Sequence, residues 1–150
     1  MYLEVYESPI GTLYISADDN YLISVTMDKS DLTINANDIT QNTIKQLIAY
    51  FNHEIDHFVL PLIFNQTEFS NQVLKELANV AYGTQISYAE LAERSQRFKA
   101  VRAVGSICNK NPYLIIVPCH RIVKSNGEIG AYAYGSSIKQ WLLNHEQKFI

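Results

Sequence analysis

With 150 residues, 47% of them hydrophobic and a net charge of −3, the chain is long enough for one compact domain or two small ones sharing an interface. It has no apolar run near the roughly twenty residues of a membrane span. It has no signal-peptide opening in Met1-Tyr2-Leu3-Glu4, and its two cysteines are not in CxxC or His-rich spacing. That argues against membrane insertion, a disulfide framework and a zinc site, and sets the expectation of a cytoplasmic protein without a metal or other cofactor.

The net charge hides an asymmetry. Residues 1–68 hold two lysines against ten acids, a net −8, whereas residues 69–150 hold ten Lys/Arg against five acids, a net +5. This shift marks a boundary and makes the second half the surface suited to a polyanion, or else simply a solvated basic face. We place an N-terminal domain at 1–64 and a C-terminal domain at 65–150.

In chain order, Tyr2–Glu7, Thr12–Ala17 and Leu22–Met27 are rich in β-branched and aromatic residues. Turn chemistry at Ser8-Pro9-Ile10-Gly11 and Asp18-Asp19-Asn20 separates them, which predicts a small antiparallel sheet. Asp28–Asp38 is loop-like. Ile44, Leu47, Ile48, Phe51 and Ile55 then recur at helical spacing and predict a helix packed on that sheet. His53 and His57 stand four apart, but no carboxylate pattern completes a metal site. Phe58–Phe64, interrupted by Pro61, is an extended connector.

In the second half, Ser70 is placed to cap a helix running to about Ala81, with Val73, Leu74 and Leu77 inward. Ser87-Tyr88-Ala89-Glu90 has the form of a capping box opening a short helix. After the turn Ser95-Gln96-Arg97, a third helix is predicted over about 98–109, with Val101, Val104 and Cys108 inward and Lys99, Arg102, Ala103, Ser106 and Lys110 outward. Cys108 is then a packing thiol. Helix, tight turn, helix, then a strand and an Asn126-Gly127 hairpin is the order of a winged helix-turn-helix. The outer face of the third helix suits either solvent or a phosphate backbone.

The stretch Val117-Pro118-Cys119-His120-Arg121-Ile122-Val123 follows three apolar residues, Leu114 to Ile116. Pro118 interrupts an otherwise apolar segment, and a thiol, an imidazole and a guanidinium follow. Cys119 is there as packing or as a nucleophile whose thiolate the neighbouring cations stabilise. Gly130-Ala131-Tyr132-Ala133-Tyr134-Gly135 is a plain connector or the wall of a pocket for a planar ligand. Ser136 or Ser137 is placed to cap a last helix with an apolar stripe of Ile138, Trp141, Leu142 and His145. Glu146 borders that stripe, where a carboxylate is costly without a partner, and His120 is the candidate.

Taken together, these motifs resemble the methylated-DNA–protein-cysteine methyltransferases, the O6-alkylguanine-DNA alkyltransferases. The motifs, in chain order, are Tyr82-Gly83 with Ser87-Tyr88, Ala100 to Gly105, Asn111-Pro112, Val117 to Val123, Gly130-Ala131-Tyr132 and Trp141 to Glu146; the resemblance is strong across roughly 69–146 and weak over 1–68. The resemblance implies an α+β chain: a small ribonuclease H-like antiparallel sheet plus helix, followed by a winged helix-turn-helix domain holding the active site. It implies irreversible transfer of an alkyl group from O6-alkylguanine in double-stranded DNA to an internal cysteine, by a monomer that flips the base out from the minor-groove side. Cys119 is then the acceptor, His120 the base acting through a water, and Glu146 its support. Asn111 braces the turn, and Tyr88 is the donor to the guanine ring.

Arg102 would replace the flipped base. Ser87, Ala103, Arg121, Ile122, Tyr132 and Ala133 join it as expected DNA or substrate contacts, with the Ala133 N–H toward O6 and the Cys119 and Ile122 carbonyls toward the 2-amino group. Leu74 and Ala81 depart from the Trp and Pro of many members, at positions that look structural. Two other readings use the same residues: a non-catalytic lesion-binding or regulatory winged-helix module, and a Cys-His-Glu acyl hydrolase.

Overall fold

Alternating β-branched and aromatic residues form three antiparallel strands, β1 (Tyr2–Ser8), β2 (Gly11–Ala17) and β3 (Leu22–Thr26), in the order β1-β2-β3. The first two pair along their whole length, from Tyr2 opposite Ala17 to Ser8 opposite Gly11. Their turn closes where the Ser8 hydroxyl donates to the Gly11 carbonyl at 2.7 Å and Gly11 takes φ +126°. Leu13, Ile15, Ala17, Leu22 and Val25 are buried on the sheet. The computed structural model describes residues 1–148, so the last two positions of the expected second domain lie outside the described residues. It divides the chain into two units, Met1–Ile63 with Pro112–Ile116, and Phe64–Asn111 with Val117 onward.

In the first unit, α1 (Asp38–Phe51) starts at a reciprocal capping box: Asn37 accepts from the Thr40 N–H, and the Thr40 hydroxyl accepts from the Asn37 N–H. Its buried face is Thr40, Thr43, Leu47, Tyr50 and Phe51, so Leu47 and Phe51 of the expected stripe lie inward, whereas Ile48 is exposed and Ile55 lies beyond the helix. The threonines can turn inward because their hydroxyls are satisfied, Thr43 by the Ile39 carbonyl at 2.8 Å and Thr40 by Glu4 at 2.8 Å. The segment Pro112–Ile116 pairs with β3 through Val25, at 2.9 Å on each side. Tyr113 is fully buried, donating its hydroxyl to the Leu22 carbonyl at 2.7 Å and accepting from the Ile63 N–H at 3.0 Å. Ile115 is held at φ +69°, a left-handed conformation rare for a β-branched residue.

In the second unit, α2 (Glu68–Ala78) is capped by Thr67 rather than Ser70; the Ser70 N–H donates to the Thr67 hydroxyl at 3.1 Å. A two-residue strand β4 (Ile86–Ser87) leads into α3 (Tyr88–Arg94), capped by Ser87 accepting from the Glu90 N–H at 3.0 Å. The Glu90 side chain pairs with Arg94 at 2.7 Å instead of completing the box. The third helix, α4, covers Val101–Asn109 and buries Val104, Ile107 and Cys108. Val101 is exposed, contrary to its expected inward position.

The next strand, β5 (Ile122–Val123), pairs parallel with β4, and the expected Asn126-Gly127 hairpin is a turn closed by the Lys124 N–H on the Glu128 carbonyl at 2.8 Å. The last helix, α5 (Ser136–Gln147), has Gly135 at its N-cap at φ +100° with no side-chain cap, so neither Ser136 nor Ser137 caps it. Its buried face is Lys139, Leu142, Leu143, His145 and Glu146, one step round from the expected stripe, and Trp141 lies 37% exposed. No helix among the described residues is long and apolar enough to cross a membrane.

Candidate active site

Pro118 ends the apolar run, and the chain turns through a single 3-10 turn, Cys119–Arg121. The turn is set by the Cys119 N–H on the Val117 carbonyl at 2.8 Å and the Arg121 N–H on the Pro118 carbonyl at 3.0 Å. Asn111, just beyond α4, donates its side-chain amide to the same Val117 carbonyl at 2.7 Å, so it ties the helix-turn-helix to the turn two residues before Cys119. A 3-10 turn points consecutive side chains in different directions, which separates the thiol from the two residues after it.

Those two residues meet Glu146 of α5. His120 is fully buried, and its Nε2 lies 2.6 Å from Glu146 Oε2. Arg121 donates Nε to Glu146 Oε1 at 2.8 Å and a terminal nitrogen to Oε2 at 3.0 Å, and gives its other terminal nitrogen to the Val80 carbonyl at 2.6 Å. The Gly83 N–H adds a bond to Glu146 Oε1 at 3.2 Å. Burial alone would raise the Glu146 carboxyl, but hydrogen bonds and charges from His120 and Arg121 hold it far below the usual carboxylate range. Burial lowers His120, against the pull of Glu146, and so favours the neutral imidazole. With Nε2 turned to the carboxylate, Nδ1 is buried without a hydrogen-bond partner.

This arrangement corrects the expected place of Arg121. It was grouped with the DNA contacts, but its guanidinium is buried and its donors are taken by Glu146 and Val80, with the Tyr82 ring beneath at 5.5 Å. It neutralises the carboxylate and faces no solvent.

Cys119 itself is 8% exposed, and burial pushes its thiol up, offset by the Asn111 amide, the Lys139 charge and the Tyr132 hydroxyl. Burial therefore favours the protonated thiol, while the amide, the ammonium and the hydroxyl around it favour the thiolate.

The sequence reading missed Lys139. Its side chain is completely buried, and Nζ donates to the Ile122 carbonyl at 2.6 Å and the Ala131 carbonyl at 3.2 Å, with the Tyr88 hydroxyl at 3.5 Å. Burial lowers its pKa, while negative charge at Cys119 or Cys108 would raise it. The available signal was phase: positions 139, 142, 143 and 146 are spaced i, i+3, i+4, i+7, and a lysine on such a face needs carbonyls to receive it.

Tyr88 opens α3. Its hydroxyl reaches the Ala131 carbonyl at 3.4 Å, and burial raises its pKa to about 12, so it stays a proton donor. Gly130, at φ +78°, lets the loop pass the ring: a Cβ there would lie 3.3 Å from Tyr88. Tyr88, Val101, Arg102, Gly105, Asn109, Lys124 and Ala131 line an open cleft of about 330 Å³, which brings the expected Tyr88 and Arg102 together without Cys119 in the lining.

Ala103 and Ala133 are exposed, and the Ser87 hydroxyl is engaged as the α3 cap. Tyr132 is buried edge-on to Tyr134, ring centroids 6.1 Å apart. The Ile122 and Cys119 carbonyls, expected to face a base, already accept from Lys139 and from the Ile122 N–H, leaving each one lone pair.

A buried carboxylate–imidazole pair is thus held one residue from a cysteine, in the same unit as the helix-turn-helix. Residues 1–64 match the ribonuclease-like domain of 6-O-methylguanine DNA methyltransferase, and residues 68–148 match its DNA-binding domain. The chain belongs to the 6-O-methylguanine DNA methyltransferase family.

It is 37% identical over 153 residues to the methylated-DNA–protein-cysteine methyltransferase of Methanosarcina acetivorans, covering 97% of this chain and 98% of that one. To the human methylated-DNA–protein-cysteine methyltransferase it is 43% identical over 107 residues, covering 67% of this chain and 52% of the human protein. Its fold is similar to the crystal structure of Mycobacterium tuberculosis OGT in complex with DNA, with a TM-score of 0.92, 31% identity, and coverage of 99% and 94% of the two chains.

Proposed function

We propose that this protein repairs O6-alkylguanine in duplex DNA by moving the alkyl group onto Cys119 in one irreversible turnover. The observation that carries this reading is the buried His120–Glu146 pair, 2.6 Å apart, whose second imidazole nitrogen is left without a partner one residue from the thiol. Sγ attacks the alkyl carbon, the S–C bond forms, and the C–O6 bond breaks. The thiol proton passes to His120 Nδ1 through a bridging water, and Tyr88 gives a proton to the guanine as negative charge develops on it. The imidazolium then releases its proton to solvent and the tyrosinate takes one back, so that, net, the proton leaves the thiol and one ends on guanine. Glu146, ionised throughout, stabilises the transient imidazolium.

The base reaches the thiol by leaving the stack, with Arg102 at the mouth of the Tyr88 cleft filling the vacated position. The acting species is a monomer on double-stranded DNA. Incubation with a duplex containing one O6-methylguanine should add a single methyl mass to the peptide containing Cys119, with no second turnover. Cys119→Ser should bind the duplex and gain nothing. Folded wild-type protein that binds the lesion and stays unmodified would leave the non-catalytic lesion-binding reading in its place.

A further inference from the structure

Phe98 is 69% exposed, in the turn between α3 and α4. A single exposed apolar residue is ordinary; this one has three features that set it apart. Its turn is held on both sides of the ring, because the Arg97 N–H donates to the Ala92 carbonyl at 2.9 Å and the Ala100 N–H returns to the Arg97 carbonyl at 2.8 Å. The Arg97 guanidinium is drawn back over the Phe69 ring at 5.1 Å, away from the tip. Finally, Phe98 stands three residues before Val101, itself 38% exposed, and Val101 and Arg102 line the Tyr88 cleft. An exposed aromatic residue thus precedes two cleft-lining residues by three and four positions, in a stretch that also carries the exposed cations Lys99 and Arg102.

We infer that Phe98 is an apolar contact to duplex DNA, placed against the sugar and base edges flanking the lesion while Lys99 and Arg102 meet the phosphates. Apolar side chains wedged at base steps are a recurrent means of holding a deformed duplex. The charge around Phe98 suits a polyanion, and the ring continues the surface from which Arg102 would enter. The inference rests on the reading of this unit as the duplex-binding one.

The test is duplex affinity as a function of salt, with single-turnover transfer measured on the same proteins. Phe98→Ala should weaken binding to an O6-methylguanine duplex about tenfold, with the slope of log affinity against log salt unchanged. Transfer at saturating duplex and thermal stability should stay at the wild-type level. Phe98→Trp should keep the affinity. Lys99→Ala should lower the salt slope by about one, as loss of one phosphate contact does. Wild-type affinity in Phe98→Ala would overturn the inference, as would a loss accompanied by a lower melting temperature or slower transfer at saturation. Failure of the wild-type protein to bind duplex would instead remove the function proposed above.

Discussion

Glu146 concentrates the chemistry of the site because it answers two cations at once. One carboxylate, 1% exposed, takes both Arg121 nitrogens and the His120 imidazole. Arg121 keeps the carboxylate ionised, and the ionised carboxylate makes a protonated His120 tolerable during transfer. Glu146→Gln removes the charge and leaves Arg121 buried without its counter-ion. Breaking a buried pair in this way costs about 3–5 kcal/mol, so the urea midpoint should fall accordingly. Transfer should slow as well, with the acid limb of its pH dependence moved to lower pH, because the carboxylate that raises His120 is gone and Arg121 is left uncompensated. A variant with wild-type stability and an unchanged pH profile would show His120 acting alone.

At the scale of elements, the loop before α5 and the start of α3 are built around each other. Gly130 has φ +78°, and a Cβ would stand 3.3 Å from the Tyr88 ring. Gly130→Ala therefore combines a left-handed alanine with a contact the ring must yield to. It should cost about 1–3 kcal/mol in denaturant unfolding and slow transfer by displacing Tyr88. Gly127, also at positive φ but with nothing near its Cβ, is the control: alanine there carries the backbone cost without the effect on transfer. Equal transfer rates in the two variants would show that the Tyr88 ring position is immaterial.

For the whole molecule, the buried titratable groups set a stability window. His120 and Glu146 are lowered in the folded protein, so the unfolded chain binds their protons first as pH falls. Stability is then lost below about pH 6.5 as unfolded histidine protonates, and more steeply below about 4.3. Cys119 is raised and Cys108 is raised to about 12, both by burial, so above about pH 8.5 the unfolded chain loses thiol protons that the folded one keeps. Lys139, lowered by burial, pulls the opposite way on the alkaline side, one ammonium against two thiols. Urea midpoints should form a plateau between roughly pH 6.5 and 8.5 and fall on both sides. A midpoint still rising at pH 10 would contradict the buried thiols.

What was legible from the sequence alone is what depends on local pattern. The three strands lie within a residue of their expected bounds because alternation and turn chemistry are nearest-neighbour properties. The helix order of the second unit, and the pairing of His120 with Glu146, followed from period and from the cost of a lone carboxylate beside an apolar stripe.

Tertiary structure decided the phase and the charge state. Which face of α1 and α5 turns inward depends on polar groups finding partners outside their own helix, as Thr40 finds the Glu4 carboxylate and Lys139 the carbonyls of Ile122 and Ala131. Arg121 is buried only because a carboxylate 25 residues later meets it. The Cys119 thiol is pushed up because it is desolvated, against the pull of Asn111 and Lys139. Each of these is a balance between burial and a distant partner, and spacing along one chain does not contain that distance.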